Sequence, residues 1–292
     1  MSINKFPIAL AAGIARFDIL REILLRKSGI PEMEFGDGLH YFKGIKSHLE
    51  SNGFEVHHTL VDFAGSVNLR ARQLGDQINH ILSGRTVEKV HVIAHSMGGL
   101  DARHMIVDMD GMAGKVASLT TIGAPHLGTT FADFGVSHGA NSLIQGVSPF
   151  INIAGFADLT TAACEAFNLR AKDKEASNKV IYRTYASAEE RDLVFLPLQP
   201  SWSIISKLEG ENDGLVSLRS QQWESELVAS DGSRKTIEQF KFPVPADHLN
   251  ETGWWDLQET NPILGLLNTK KLAGEYEAKI KAIYLEIAKK LE

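Results

Sequence analysis

Ser96 follows the apolar run VHVI and its His95, with Ala94 two residues before it and Gly98 two residues after it. A serine hydroxyl becomes a useful nucleophile only when a base takes its proton and the backbone holds it out on a sharp strand-to-helix turn. Such a turn presses the positions two before and two after against neighbouring backbone, so both must be small. Ala94 and Gly98 meet that demand. The stretch MGGLDARHMI behind the serine reads as a helix, and its first amide, that of Met97, points at whatever the hydroxyl attacks. A serine that merely caps a helix would show part of the same pattern.

A serine of this kind needs an imidazole, and the imidazole needs an acid; on strand–turn–helix sites the chain order is serine, acid, histidine. Of the eleven histidines only His138 and His248 lie beyond His126. His138 is too close to Ser96 for an acid-bearing strand to intervene, which leaves His248 in PADHLNETGW, a polar loop after the strand-like FKFPV. For the acid, Asp213 in GENDGLVS combines turn chemistry with an apolar Leu-Val that packs the loop down. Asp192 and Asp231 compete, the latter in SDGS, which has the look of a hairpin tip. A second donor to a developing oxyanion should come from the loop after the first strand, where Gly13 permits the turn and the Ile14 amide follows.

The elements that position these residues alternate. Strand-like runs are expected at Phe6 to Ala11, Phe54 to Leu60, Val90 to Ile93 and Val116 to Ile122. Helical spacing is expected over Tyr41 to Leu49, Leu69 to Leu82 and Met97 to Ile106. That rhythm predicts a parallel sheet covered by helices on both faces, with ligands beyond the carboxyl ends of its strands. From Leu127 the pattern breaks into a stretch rich in Gly, Ala, Ser and Phe, expected to form a helical cap. It resumes with the strand KVIYRTYA and ends in an amphipathic helix from Leu272 to Leu291.

With 292 residues, a net charge of −6, 43% hydrophobic and 23% charged residues, the composition fits an ordinary globular chain and argues against a nucleic-acid partner. Cys164 is the only cysteine, so neither an intramolecular disulfide nor a thiolate metal cage is expected. No run approaches the roughly 18 apolar residues of a membrane span. MSINKFPIALAAG carries no charged-then-apolar leader. The expected location is the cytoplasm, with export by a signal-less route as the alternative.

FPIALAAGIARFD, YFKGIKSHLESNGFEV, AHSMGGLDAR, TTIGAPHLGTTFADF, DLTTAACEAFN, NDGLV and DHLNE together resemble the bacterial true lipases. These are the Pseudomonas- and Proteus-type triacylglycerol lipases of the α/β-hydrolase superfamily. The resemblance runs from residue 6 to about 254. It implies a single α/β-hydrolase domain over residues 1–292, mostly parallel in its sheet, with a cap or lid inserted at about 127–178. It also implies Ser96 as nucleophile, Asp213 as acid, His248 as base, and Ile14 and Met97 as oxyanion donors. The chain departs from the family where Ala12 replaces an oxyanion-loop histidine, Arg16 a common glycine, and Ala94 the first glycine of the elbow. Calcium is often held in the family through an aspartate that is Asn250 here, with Trp254 at another ligand position, so no metal and no cofactor are expected.

The activity implied is hydrolysis of lipid-like carboxylic esters, with a small-molecule or lipid ester as partner and transient contact with a lipid interface. A soluble esterase or thioesterase for short acyl groups is the rival. A non-catalytic hydrolase-fold binding protein is the alternative from another class.

Overall fold

The computed structural model describes residues 5–14, 37, 40–62, 65–138, 153–254 and 265–291. Its strands are β1 (Ile8–Ala11), β2 (Val56–Thr59), β3 (Val90–His95), β4 (Val116–Ile122), β5 (Ile181–Ala186), β6 (Glu226–Val228), β7 (Arg234–Thr236) and β8 (Glu238–Lys241). Six of them form one sheet in the order β2-β1-β3-β4-β5-β8, every neighbouring pair parallel. β6 and β7 make a separate antiparallel ribbon. The helices that bear on the site are α1 (Ile45–Ser51), α2 (Val67–Leu82), α3 (Met97–Asp108), α4 (Thr130–His138), α5 (Thr161–Ser177), α6 (Gln199–Leu208) and α7 (Gly265–Lys289).

Side chains alternate across a strand, so a sheet covered on both faces needs apolar residues at every position rather than every second one. β1 shows this directly. Ile8 and Leu10 enter one core with Val56, Ile45, Leu49, Ile280 and Tyr284. Ala9 and Ala11 face the other, with Leu74, Ile78, Val92, Ala94 and Met105. The small residues Ala9, Ala11 and Ala94 all lie on the face that receives α3, which lets that helix approach closely.

Element boundaries differ from the sequence expectation for local reasons. The first helix begins at Ile45, not Tyr41, because Gly44 sits in the left-handed region at φ 64° and serves as its N-cap. α2 starts two residues early, at Val67, where the Ser66 hydroxyl accepts the Leu69 amide. The strand expected at FKFPV is displaced to Glu238–Lys241. Phe242 still donates to Ala186 O at 2.8 Å, and Pro243 has no amide with which to continue.

The insertion expected at about 127–178 has two parts. α4 and the 3-10 turn Ile153–Leu159 supply Phe131, Ala132, Phe156 and Leu159 to a core shared with Ile14, Met97 and Leu100. α5 instead belongs to the layer flanking the sheet, as the crossover between the parallel neighbours β4 and β5. Arg103 of α3 holds Glu175 of α5 through two buried bonds of 2.8 and 2.9 Å, and Lys174 reaches Val107 O at 2.8 Å. Most of ANSLIQGVSPFINIAGF, and Arg16, lie outside the described residues. Among the described residues no helix is long and apolar enough to cross a membrane.

Candidate active site

β3 ends at His95, and Ser96 turns the chain with φ 57° and ψ −135° before α3 begins at Met97. Only one other non-glycine residue described, Trp223, has positive φ. A serine held there stores roughly 1–3 kcal/mol of backbone strain, and the surrounding packing must offset it. Its amide still bonds Ile122 O at 3.0 Å, so the nucleophile position is an extension of the sheet. Gly98 shows why the elbow tolerates no side chain two residues on. A Cβ there would lie 2.5 Å from Ala11 O and 2.8 Å from Ala12 O, both backbone atoms. Gly98→Ala is therefore expected to cost about 1–3 kcal/mol in chemical denaturation, since only the β1 loop can yield. A variant as stable as the parent would show that the close approach is not needed. Ala94, fully buried, supplies the other small position.

The structure brings Ser96, His248 and Asp213 together from three separate parts of the chain. The Ser96 hydroxyl donates to His248 Nε2 at 2.8 Å, and His248 Nδ1 donates to Asp213 Oδ2 at 2.7 Å. Both ends of this chain are fixed by backbone. Asp213 Oδ1 accepts the Leu215 and Val216 amides at 2.8 and 2.7 Å, and the His248 amide donates to Asp213 O at 2.9 Å. Gln221 Nε2 adds a bond to Asp213 Oδ2 at 3.2 Å. The loop bearing His248 is set by its neighbour Asp247, whose carboxylate accepts the amides of Phe195, Leu249 and Asn250. The competing acids stand elsewhere. Asp192 is exposed and pairs with Arg191, while Asp231 bonds the Ser233 amide at the tip between β6 and β7. The side chain of His138 is outside the described residues.

Ile14, Tyr41, Ser96 and His248 line one apolar cavity whose walls include Phe131, Phe156, Leu159, Leu198 and Leu249. Met97 is the first residue of α3, so its amide has no partner within the helix. The loop after β1, expected to carry an oxyanion donor, is held from two sides. Arg70, fully buried, sends Nη2 to Ala12 O at 2.8 Å and pairs with Asp101 through Nε and Nη2 at 2.9 and 2.7 Å. On the other side the Tyr41 hydroxyl packs against Gly13, where a Cβ would lie 2.6 Å from its oxygen.

Sequence reasoning missed a second buried chain beside the first. Tyr41 donates to His95 Nδ1 at 2.6 Å, and His95 Nε2 donates to Glu251 Oε2 at 2.9 Å. The rings of His95 and His248 stand 4.6 Å apart. Burial pushes His95 well below the usual imidazole range, with the approach of His248 adding to it. Burial likewise pushes Glu251 well above the usual carboxyl range, reinforced by the charges of Asp213 and Asp247. Both shifts favour the uncharged form of their group beside His248. Gly123 adopts φ 59°, and a Cβ there would lie 2.1 Å from Glu251 Oε2.

Two places bear on a metal. Among the described residues His95, His248 and Glu251 offer ligand atoms within 4.8 Å of one another. Both nitrogens of each ring are already committed to Tyr41, Glu251, Ser96 and Asp213, so an ion there would have to dismantle the site. At the position where the resemblance to the lipases would place calcium, Asn250 Nδ2 donates to Trp254 O at 2.8 Å. A hard cation needs six to eight oxygens converging at about 2.3–2.6 Å. Here Asn250 supplies a neutral amide in place of a carboxylate, with its Nδ2 turned to the Trp254 carbonyl.

Residues 48–139 match the PGAP1-like alpha/beta domain family. The chain is 35% identical over 191 residues to triacylglycerol lipase 2 of Saccharomyces cerevisiae, a match covering 63% of this chain and 57% of that protein. It is 32% identical over 136 residues to a triacylglycerol lipase of Pseudarthrobacter phenanthrenivorans, covering 45% of this chain and 36% of that one. It therefore spans little more than half of the first relative's length and about a third of the second's. Among solved structures, the mature Bacillus licheniformis lipase superposes with a TM-score of 0.61 at 17% identity, covering 94% and 93% of the two chains. A metagenomic carboxyl esterase gives 0.63 at 14% identity, covering 99% of this chain and 78% of its own. The chain has the α/β-hydrolase fold, and in sequence it is similar to triacylglycerol lipases.

Proposed function

We propose that the protein is a serine carboxylic-ester hydrolase acting on lipid-like acyl esters, related to the Pseudomonas- and Proteus-type triacylglycerol lipases. One observation carries the proposal: a strained serine shares its proton with a buried imidazole, backed by a carboxylate, against an apolar cavity. In this mechanism His248 takes the Ser96 proton as Oγ attacks the ester carbonyl carbon. The tetrahedral oxyanion is held by the Ile14 and Met97 amides. His248 then protonates the departing alcohol, and the acyl group stays on Ser96. Water, activated by His248, releases the acid by the same route. Asp213 keeps the imidazole in the tautomer that leaves Nε2 free to accept. α4 and the turn Ile153–Leu159 form the cap over the acyl chain.

Chain-length selectivity tests the substrate class. Hydrolysis is expected with p-nitrophenyl esters from butyrate to palmitate, and with emulsified triglyceride, since the cavity offers carbon rather than polar partners to the acyl group. A strong preference for butyrate, with no rate increase above the substrate's solubility limit, would move the assignment to a soluble esterase. Failure of Ser96 to react with a fluorophosphonate probe in folded protein would leave only a binding role.

A further inference from the structure

The peptide between Ala12 and Gly13 is held at both of its ends. Its carbonyl accepts from Arg70 Nη2 at 2.8 Å, and the hydroxyl oxygen of Tyr41 packs against its glycine end, where a Cβ on Gly13 would lie 2.6 Å from it. These two anchors come from opposite sides of the loop: Arg70 lies in α2, braced by Asp101 of α3, while Tyr41 precedes α1. The hydroxyl has no freedom to turn away, because its own proton goes to His95 Nδ1 at 2.6 Å, and His95 is held in turn by Glu251. Gly13 carries no side chain because a Cβ would lie 2.6 Å from the Tyr41 oxygen and 2.7 Å from Ser96 Cβ. The next amide after this pinned peptide is that of Ile14.

We propose that Tyr41 is a positioning residue for the oxyanion site: with Arg70 at the opposite end, it clamps the Ala12–Gly13 peptide so that the Ile14 amide is aimed before substrate arrives. This rests on the ester-hydrolase reading above. Ala12 has no side-chain donor or acceptor with which to brace the loop from within, and the clamp does so from outside. Burial raises the Tyr41 hydroxyl well above the ordinary phenol range, so it keeps its proton, and with it the bond to His95, throughout the pH range of ester hydrolysis. A peptide fixed in advance costs no reorganisation when charge develops on the substrate oxygen, and that is where such donors gain their effect.

Tyr41→Phe keeps the ring and removes the hydroxyl, and with it both the contact with the Ala12–Gly13 peptide and the bond to His95 Nδ1. Complete loss of one oxyanion donor costs about 10²- to 10³-fold in kcat. A donor that is present but misaimed should cost less, roughly ten- to a hundredfold. KM should change by less than about threefold, and the acid limb of the kcat/KM profile should not move, because His248 and Asp213 are untouched. The rate ratio between an ester and its thionoester should shrink, since sulfur accepts hydrogen bonds poorly and gains little from a well-aimed amide.

Arg70→Lys, which keeps a cation for Asp101 but shortens the reach to Ala12 O, is the second variant. It should show the same signature, and the double variant should lose less than the product of the two single losses, because both act on one peptide. Thermal midpoints read folding independently. A kcat within about threefold of the parent in a folded Tyr41→Phe, or an unchanged oxygen-to-sulfur ratio, would overturn the proposal while an inactive Ser96→Ala left the hydrolase reading standing. Equal turnover by Ser96→Ala and the parent would remove both.

Discussion

Ser96→Ala is expected to lower kcat on p-nitrophenyl butyrate by about 10⁴-fold or more and to leave the fold intact. The magnitude follows from the nucleophile role proposed for it. Without Oγ there is no acyl-enzyme, and what remains is binding plus the Ile14 and Met97 amides, worth about 10³–10⁴ over water. The fold survives because the serine side chain packs little. Its backbone is what the structure holds, at φ 57° and ψ −135°. That conformation separates two variants which both lack the hydroxyl. Glycine adopts it freely and alanine does not. Relief of about 1–3 kcal/mol of strain, set against about 0.5–1 kcal/mol for glycine's greater freedom in the unfolded chain, leaves Ser96→Gly more stable than Ser96→Ala by about 1 kcal/mol. Urea denaturation of the pair measures it. Equal midpoints would mean that the elbow stores no strain, and turnover retained by either variant would remove Ser96 from the chemistry.

Why Ser96 could be found from sequence, and Tyr41 could not, comes down to the range of the constraint. The elbow is local: a strand, a serine and a helix within a dozen residues, with small neighbours forced by backbone contact. Gly98 carries its explanation in the two carbonyls it touches. Asp213 was recognisable because its turn chemistry is also local, the Oδ1 atom bonding amides two and three residues ahead. The second buried chain has no such signature. His95 meets Glu251 across 156 residues of sequence and Tyr41 across 54, and Arg70 meets Asp101 across 31. A buried histidine or arginine on an amphipathic stretch gives no sign of its partner until the sheet brings the two together.

The sheet itself was readable for the same reason the elbow was. Apolar runs at β1, β3 and β4 announce strands buried on both faces. β8, with the sequence EQFK and only partial burial, does not announce itself, and the apolar stretch beside it drew the expectation forward to Phe242 and Val244. Between β4 and β5, composition marks where the rhythm of strands and helices stops. The crossover α5 begins locally, where the Thr160 hydroxyl caps it by accepting the Ala163 amide, but its place against α3 is fixed by Arg103 and Glu175, a contact with no local sign.

Asp213→Asn is expected to reduce kcat by about 10⁴-fold with little change in KM, and the hydrogen bonds dictate why. The carboxylate is fully buried and accepts on both oxygens: the Leu215 and Val216 amides on Oδ1, and His248 Nδ1 with Gln221 Nε2 on Oδ2. An asparagine must keep its oxygen on the two amides, since turning its NH₂ towards them would oppose donor to donor twice. The NH₂ then faces His248 Nδ1. The imidazole can answer only by moving its proton to Nε2, where it becomes a donor to Ser96 and can no longer take the serine's proton. Geometry is kept while the base is lost. The loss should therefore appear in kcat, and it should shrink at high pH, where the serine proton can leave without help from the ring. Glu251 offers no substitute, since its Oε2 is bound to His95. A residual rate within about tenfold of the parent in Asp213→Asn would show that another group orients His248, and Glu251→Gln in the same background would then identify or exclude that carboxyl.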